Sequence, residues 1–458
     1  MIASLSRFAL KVALWAVDRF YEVGRVGRAI PDGPVIIIAN HPNSLMDGLM
    51  VLKVAGRQVR PLGKAPLFEH PLFGHVLEGL GALPVYRPQD FPGETWRNDN
   101  TFAAAVGSLQ RGEAVLIFPE GLSHSGVQLA RMKTGAARIA FAAEEATNWQ
   151  LGLRVVPVGL TYHRKHSFRG RVAAAVGRSF EVVSWRESRQ RDEWGAVESL
   201  TSAMREALEK VTLNLPTEED QVLIETAEAL YAAEKGYTQP RSRERLAPRL
   251  PRLQRFAEAL AWLYVNEPDQ YARLTRSMRD YRDRLRQLGV REGELPKRFP
   301  ATGVIRYALA QSLLLFIGLP LAALGTVVWF LPYKSPRLAI SFYRPQFEAM
   351  ATLKLASALV AFPFAFAIWL AVAWWAGGLG GMFVAAVALP LLGVVAVRWR
   401  DRWSRVREDA RIFFNVIRKK TQRDELVRER KTLVQEFESV AARWQQEHSV
   451  RREREPAG

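Results

Sequence analysis

The sequence predicts an α/β unit with a mixed sheet flanked by helices, then a helical region and a transmembrane helical module. Three observations over its 458 residues predict this. Short apolar runs alternate with helical patterns between Val35 and about Trp185. Polar helical periodicity replaces them from about 193 to 290. Two long nonpolar blocks then follow, 307–331 and 355–397, the second broken by Gly377-Gly378-Leu379-Gly380-Gly381. The first block has about the length of one spanning helix and the second that of a hairpin of two.

Each element has its own signal. Over 4–20, Arg7, Lys11 and Asp18 share a narrow arc at helical spacing, and Leu5, Phe8, Val12, Trp15, Ala16 and Phe20 cover a broad face. No small-residue cleavage signature marks it as a signal peptide. An interfacial helix lying on a bilayer fits, with a helix packed on the domain core as the alternative. Strands are expected at 35–39, 83–86, 114–118, 154–160 and 171–176, and helices near 44–55, 98–110 and 131–146. Buried strands alternating with helices imply a sheet covered on both faces, with functional loops at strand ends.

Downstream, Thr217 with Asp220 marks a helix start. The stretch 241–289, rich in arginine, leucine and tyrosine, reads as helical packing or a linker. Lys334, Arg337, Arg344 and Lys354 separate the apolar blocks, and Arg398, Arg400, Arg402 and Arg405 follow the second. Lys297, Arg298 and Arg306 precede the first. The excess of basic residues puts all three stretches on the cytoplasmic side. A single crossing at 307–331 would switch sides, so two topologies fit: three spans, or a re-entrant segment interrupted near Gly318 and Pro320. In the charged tail, Leu426, Leu433, Phe437, Val440 and Trp444 form a helical seam, suited to a coiled coil or to packing on the chain's own helices. The expected divisions are a lead-in at 1–29, a core unit at 30–215, a helical region at 216–300, a membrane module at 301–398 and a tail at 399–458.

The formal charge of +18 flanks apolar blocks instead of forming a stripe with interleaved aromatics. Anionic lipid, and not nucleic acid, is the expected partner. There are no cysteines, which excludes disulfides, thiolate catalysis and cysteine zinc sites. The histidines show no ligand spacing, so no metal is expected.

Two polar islands carry the chemistry. Asn40-His41-Pro42-Asn43-Ser44-Leu45-Met46-Asp47 follows the run Val35–Ala39. A neutral imidazole accepts a hydroxyl proton, and a carboxylate fixes its tautomer and steadies its charged form. Six positions on one helix would put His41 and Asp47 on different faces, so Pro42-Asn43 must turn before the helix, with Asn43 or Ser44 available to cap it. The second island is Phe118-Pro119-Glu120-Gly121-Leu122-Ser123-His124. There proline ends a strand, glycine allows a tight turn and Glu120 can accept substrate hydroxyls. Arg87, Lys133 and Lys64 are candidate phosphate contacts. No serine sits in a nucleophile elbow, so the histidine would activate a hydroxyl of the substrate in a direct acyl transfer.

These blocks, in this order, resemble the glycerolipid acyltransferase family. Asn40-His41 through Asp47 resembles its first block, with five residues between histidine and aspartate where four are usual. Gly81-Ala-Leu-Pro-Val-Tyr-Arg87 resembles the second, Phe118 through His124 the third, and Val156-Pro157-Val158-Gly159 the fourth. Lys64, Pro66 and Phe68, with Pro71 and Gly74, resemble the segment before the second block. The spacing, Ser123-His124 and Lys133-Thr134-Gly135 resemble the fungal glycerol-3-phosphate/dihydroxyacetone-phosphate acyltransferase branch.

The resemblance implies a glycerolphosphate-acyltransferase-like fold and a catalytic pair of His41 and Asp47. It places Arg87 on phosphate, Glu120 and Gly121 in substrate-binding positions, and Ser123, His124, Lys133 and Lys64 around them. His124 or Lys133 would stand in for the family's arginine after the third block. The implied reaction moves an acyl group from acyl-CoA or acyl carrier protein, with no bound cofactor, to glycerol 3-phosphate. The alternative acceptor is lysophosphatidate (1-acylglycerol 3-phosphate), and a non-enzymatic membrane scaffold is the reading of another class. The expected location is integral in the membrane with the catalytic domain in the cytoplasm, at the inner membrane if the source is bacterial.

Overall fold

The computed structural model describes residues 2–69, 73–236, 245–289, 301–418 and 420–454. Pro71, Lys297 and Arg298, used above, lie outside these. The chain forms two compact units: Met1–Glu218 with Glu244–Gln254 and Pro345–Thr352, and Glu219–Arg243 with Arg255–Arg344 and Leu353–Gly458.

The first unit opens with α1 (Ile2–Phe20), then β1 (Tyr21–Gly27), β2 (Val35–Ala39), α2 (Leu45–Ala55), β3 (Val59–Lys64), α3 (Phe73–Gly79), β4 (Leu83–Val85) and α4 (Asn98–Gln110). After these come β5 (Ala114–Ile117), α5 (Gly135–Glu145), β6 (Arg154–His163), β7 (Gly170–Val176), β8 (Phe180–Glu181), α6 (Arg186–Arg191) and α7 (Glu193–Glu209). The sheet runs β1-β7-β6-β2-β5-β3-β4, with β8 on β6. Pairing is parallel except where β6 meets β7 and β8. The mixed sheet is therefore as expected. All five residues of β2 are buried, because a central strand covered on both faces needs apolar side chains at every position. β1, β3 and β8 escaped the sequence: β1 has two glycines and two charged residues among its seven, β3 contains Arg60 and Pro61, and β8 has two residues.

Parallel registry sets the site. Val35 pairs with both Ala114 of β5 and Arg154 of β6, so the carboxyl ends of β2, β5 and β6 emerge at one edge of the sheet. Both polar islands leave the sheet there. α1 contacts α2 and α3 and buries Ala16, Val17 and Phe20, while Phe8 and Trp15 remain exposed. One face thus packs on the domain core, as the alternative reading expects, and another faces outward.

The second unit contains α8 (Glu218–Glu234), α9 (Leu246–Asn266), α10 (Pro268–Leu288), α11 (Ala301–Val328), α12 (Phe330–Tyr343), α13 (Met350–Arg418) and α14 (Lys420–Arg454), with α8, α9 and α13 beginning in stretches assigned to the first unit. The tail seam packs on the chain's own helices: Leu426, Leu433, Phe437 and Val440 join Leu223, Leu230, Leu274, Met278 and Tyr281 in one core.

Two stretches, Arg306–Val328 and Phe347–Arg411, are long and apolar enough to cross a membrane. They support an integral membrane placement. Phe316, Ile317, Val360, Phe364, Trp375 and Phe383 are exposed, an outward apolar surface that water would disfavour and acyl chains accept. α13 is two arms joined where Gly377 and Gly378 leave helical geometry, Gly378 at φ 59°. α11 continues through Pro320, so the interruption expected at Gly318 and Pro320 does not occur.

Contacts along the second arm nevertheless trace a hairpin. Tyr307 bonds Asp409, Gln311 bonds Arg402, Trp399 bonds Leu315 and Trp329 bonds Leu389, after which Tyr333 returns to Arg400. Gly325 allows the close approach, since a Cβ there would lie 2.3 Å from the Leu392 oxygen. The chain turns at Trp329, which stacks on Phe362 of the first arm. Leu389, beside Trp329, stands roughly 16 Å from the Gly378 turn at 1.5 Å per helical residue.

Candidate active site

His41 and Asp47 meet because the chain turns sharply between them. Ser44 has φ 50° at the N-terminus of α2, an unusual conformation for a residue with a Cβ. Neither expected cap forms. Ser44 donates its amide to Ser123 Oγ, and Asn43 Nδ2 donates to the Tyr21 hydroxyl. The turn brings His41 Nδ1 to 2.9 Å from Asp47 Oδ2. Asp47 is fully buried and also accepts from the Asn43 amide at 2.6 Å and, on Oδ1, from the Tyr162 hydroxyl at 2.6 Å. A carboxylate that accepts this set assigns the Nδ1 proton to His41 and leaves the Nε2 lone pair for a substrate proton. The His41 ring stacks on Phe118, centroids 4.0 Å apart, and its side chain stays 20% exposed, enough to be reached.

The third block closes on the first. Ser123 Oγ and the His124 amide both donate to the His41 carbonyl, at 2.8 and 3.1 Å. Glu120 is fully buried; Oε1 accepts from the His41 amide at 3.2 Å, and Oε2 from the Ala130 amide at 2.7 Å and from His124 Nε2. Gly126 donates to His124 Nδ1 at 3.1 Å, which leaves the proton on Nε2 for Glu120. Both ring nitrogens of His124 are thus engaged within the protein, as are both oxygens of Glu120.

The candidate cations ring this cluster. Arg87 binds Asp90 at 2.6 Å and the Gly121 carbonyl at 3.2 Å, which ties the second block to the third. Gly121 sits at φ +68° and the stem of Lys133 runs over it, 3.4 Å from where a Cβ would stand. Lys133 is exposed, and its amide donates to the Pro119 carbonyl at 2.7 Å. Lys64, also exposed, ends β3 opposite Val85, two residues before Arg87. Among the described residues no group of three or more metal-ligating side chains is clustered.

Sequence reasoning missed Tyr162, Tyr21 and Lys165. Tyr162 lies 115 positions from Asp47, and only the β2–β6 pairing joins them. Its hydroxyl is driven well above the ordinary tyrosine range, first by burial and then by the Asp47 charge, so it remains a donor. The polar, aromatic run Thr161 to Lys165 at the end of a buried strand was the available signal. Tyr162→Phe is expected to lower stability by about 2 kcal/mol, because it removes a donor from a buried carboxylate. Chemical denaturation checks this; a change below about 0.5 kcal/mol would remove Tyr162 from the site's support.

Residues 23–161 match the family described as Acyltransferase. An uncharacterized acyltransferase of Schizosaccharomyces pombe is 25% identical over 228 residues, 49% of this chain and 32% of that protein. Glycerol-3-phosphate O-acyltransferase 2 of Saccharomyces cerevisiae is 31% identical over 135 residues, 29% of this chain and 18% of that protein. Glycerol-3-phosphate O-acyltransferase 1 of the same yeast is 24% identical over 219 residues, 47% of this chain and 27% of that protein. The matches therefore span no more than about a third of these relatives. Among solved structures, the Thermotoga maritima 1-acyl-sn-glycerophosphate acyltransferase PlsC aligns with a TM-score of 0.32 and 20% identity, over 44% of this chain and 80% of that one.

Proposed function

We infer that the acyltransferase-family domain at residues 23–161 performs a thioester-dependent O-acylation of a phosphorylated glycerol acceptor at a membrane surface. The bond of 2.9 Å between His41 Nδ1 and buried Asp47 carries this inference. His41 Nε2 takes the proton of the acceptor hydroxyl as its oxygen attacks the thioester carbonyl. The tetrahedral intermediate collapses, the carbon–sulfur bond breaks, and His41 returns the proton to the leaving thiolate. Asp47 steadies the imidazolium between these steps. Arg87, Lys64 and Lys133 are the cations proposed for phosphate. Glu120, with Gly121, Ser123 and His124, builds the floor on which the glycerol backbone rests.

Of the two acceptors, 1-acylglycerol 3-phosphate takes precedence over the glycerol 3-phosphate favoured by the spacing of the first block. α1 is tied to α2 by the Lys53–Asp18 ion pair, and Tyr21 directly after α1 bonds the catalytic turn through Asn43. The same helix exposes Phe8 and Trp15, side chains suited to a lipid interface. A singly acylated acceptor resides in that interface. Glycerol 3-phosphate remains the second reading, supported by the names of the two yeast relatives.

Purified full chain offered 1-acylglycerol 3-phosphate, glycerol 3-phosphate and dihydroxyacetone phosphate, each with acyl-CoA and acyl carrier protein donors, tests both levels. The highest kcat/KM is expected with 1-acylglycerol 3-phosphate. Preference for glycerol 3-phosphate reverses the acceptor order, and no turnover with any pair removes the reaction.

The proposed membrane arrangement keeps every basic cluster on the cytoplasmic face, with α11 and α12 re-entrant. The cysteine-free chain suits single-cysteine labelling. Arg276→Cys and Ser335→Cys are expected to label from one side and Gly380→Cys from the other. Labelling of Arg276→Cys and Ser335→Cys from opposite sides makes α11 a full span and sinks the re-entrant arrangement.

A further inference from the structure

The chemistry just described does not use Lys165, yet this lysine grips the catalytic turn at two points. Its ammonium donates to the Pro42 carbonyl at 3.1 Å and to Ser125 Oγ at 2.5 Å. Its own carbonyl accepts from the Tyr21 hydroxyl, which in turn accepts from Asn43 Nδ2 at 2.9 Å. Pro42 follows the proposed base, and the Asn43 amide holds Asp47. Ammonium and carbonyl of one residue thus bracket the peptide between His41 and Asp47.

A second layer holds the lysine. Ser125 Oγ donates a hydrogen bond to Glu348 Oε1 at 2.8 Å, and the ammonium lies 4.9 Å from the centre of the Phe347 ring. Both residues belong to Pro345–Thr352, a short segment of the first unit between α12 and α13. Burial lowers the Lys165 pKa, with the Glu348 and Asp47 charges opposing the shift. A partly desolvated ammonium stays charged where such partners surround it. Its position is therefore defined by the turn on one side and the segment on the other.

We propose that Lys165 is a positioning residue for the His41–Asp47 turn, and that Glu348, acting through Ser125, holds Lys165 in place. The role rests on the acyl-transfer reading for its kinetic consequence, and its structural consequence stands apart from it. Displacement of a base by about 1 Å costs on the order of 100-fold in rate while leaving binding groups untouched. The effect should therefore fall on kcat.

The test uses the full chain in lipid nanodiscs. Lys165→Met is expected to lower kcat about 10- to 100-fold with acceptor and donor KM within about 2-fold, and Lys165→Arg to recover to within about 3-fold of wild type. Glu348→Gln is expected to cost about 3- to 10-fold alone, but less than about 2-fold in the Lys165→Met background, since both act through one contact. Amide exchange of the 40–47 peptide should rise in Lys165→Met while that of 154–160 stays fixed. Unchanged kcat and exchange in Lys165→Met overturn the proposal. So does a loss confined to acceptor KM, which would make Lys165 a headgroup contact. Equal Glu348→Gln losses in both backgrounds overturn the link through Ser125. Should Lys165→Met fail to fold, the cycle of Ser125→Ala with Glu348→Gln decides the same link, additive losses refuting it. Should wild type turn over no acceptor, the reaction fails, while the exchange measurement still judges the positioning role.

Discussion

His41→Ala is expected to lower kcat about 1,000-fold, within the range of 100- to 10,000-fold that general-base catalysis contributes. Among the described residues, His124 offers no substitute lone pair, because both its nitrogens are engaged by Glu120 and Gly126. The fold should survive, since the ring is partly exposed and packs mainly on Phe118. Asp47→Asn should cost a comparable factor by another route. A carboxamide offers one acceptor oxygen where the carboxylate uses both, against donors from His41, Asn43 and Tyr162. Its NH2 group would face a donor or press His41 into the wrong tautomer. Steady-state kinetics with thermal unfolding on the same samples separates chemistry from stability. A His41→Ala protein that keeps more than about a tenth of wild-type kcat would end the base assignment.

Gly159→Ala is expected to destabilise the first unit by about 3 kcal/mol, at the upper end of overpacking costs. Gly159 lies in β6 opposite Ala175 of β7, and an added Cβ would stand 1.9 Å from the Val211 carbonyl oxygen and 2.5 Å from its carbon. Both obstacles are backbone, so no rotamer change relieves them. Gly48→Ala in α2 is the control, with nothing within 4 Å of the new methyl and a better helix former introduced. Thermal melts should show a clear drop for the first and none for the second. Equal melting temperatures would mean that the loop at Val211 yields freely. A clear drop for Gly159→Ala alone assigns this glycine to the close approach of β6 and the Val211 backbone.

The catalytic unit was largely legible because its signals are local. Val35–Ala39 is uniformly apolar, and a strand buried on both faces admits nothing else. His41 and Asp47 announce themselves through a proline turn that must separate them. The helical caps were less legible: Ser44 and Asn43 have the right chemistry, but Ser123 and Tyr21 offered their polar groups better partners. Arg87 was singled out as a cation, and what it does in the fold, bridging Asp90 to Gly121, depends on a neighbour 34 positions away. The hairpin of α11 and α12 was half-legible. Charge parity raised it, but the expected break at Pro320 was misplaced: α11 continues through that proline and turns at Trp329.

By itself the sequence determined which turns gather a histidine, carboxylates and cations and where apolar length suffices to enter a bilayer. Both are properties of consecutive residues, set by hydrophobic run length and turn composition. Only the tertiary structure decided what holds that chemistry in place. Tyr162 reaches Asp47, and Lys165 reaches Pro42, because β6 lies parallel beside β2 and delivers its end to the same edge. Strand order is a global outcome of burying both faces of a sheet, and no short window of residues encodes it.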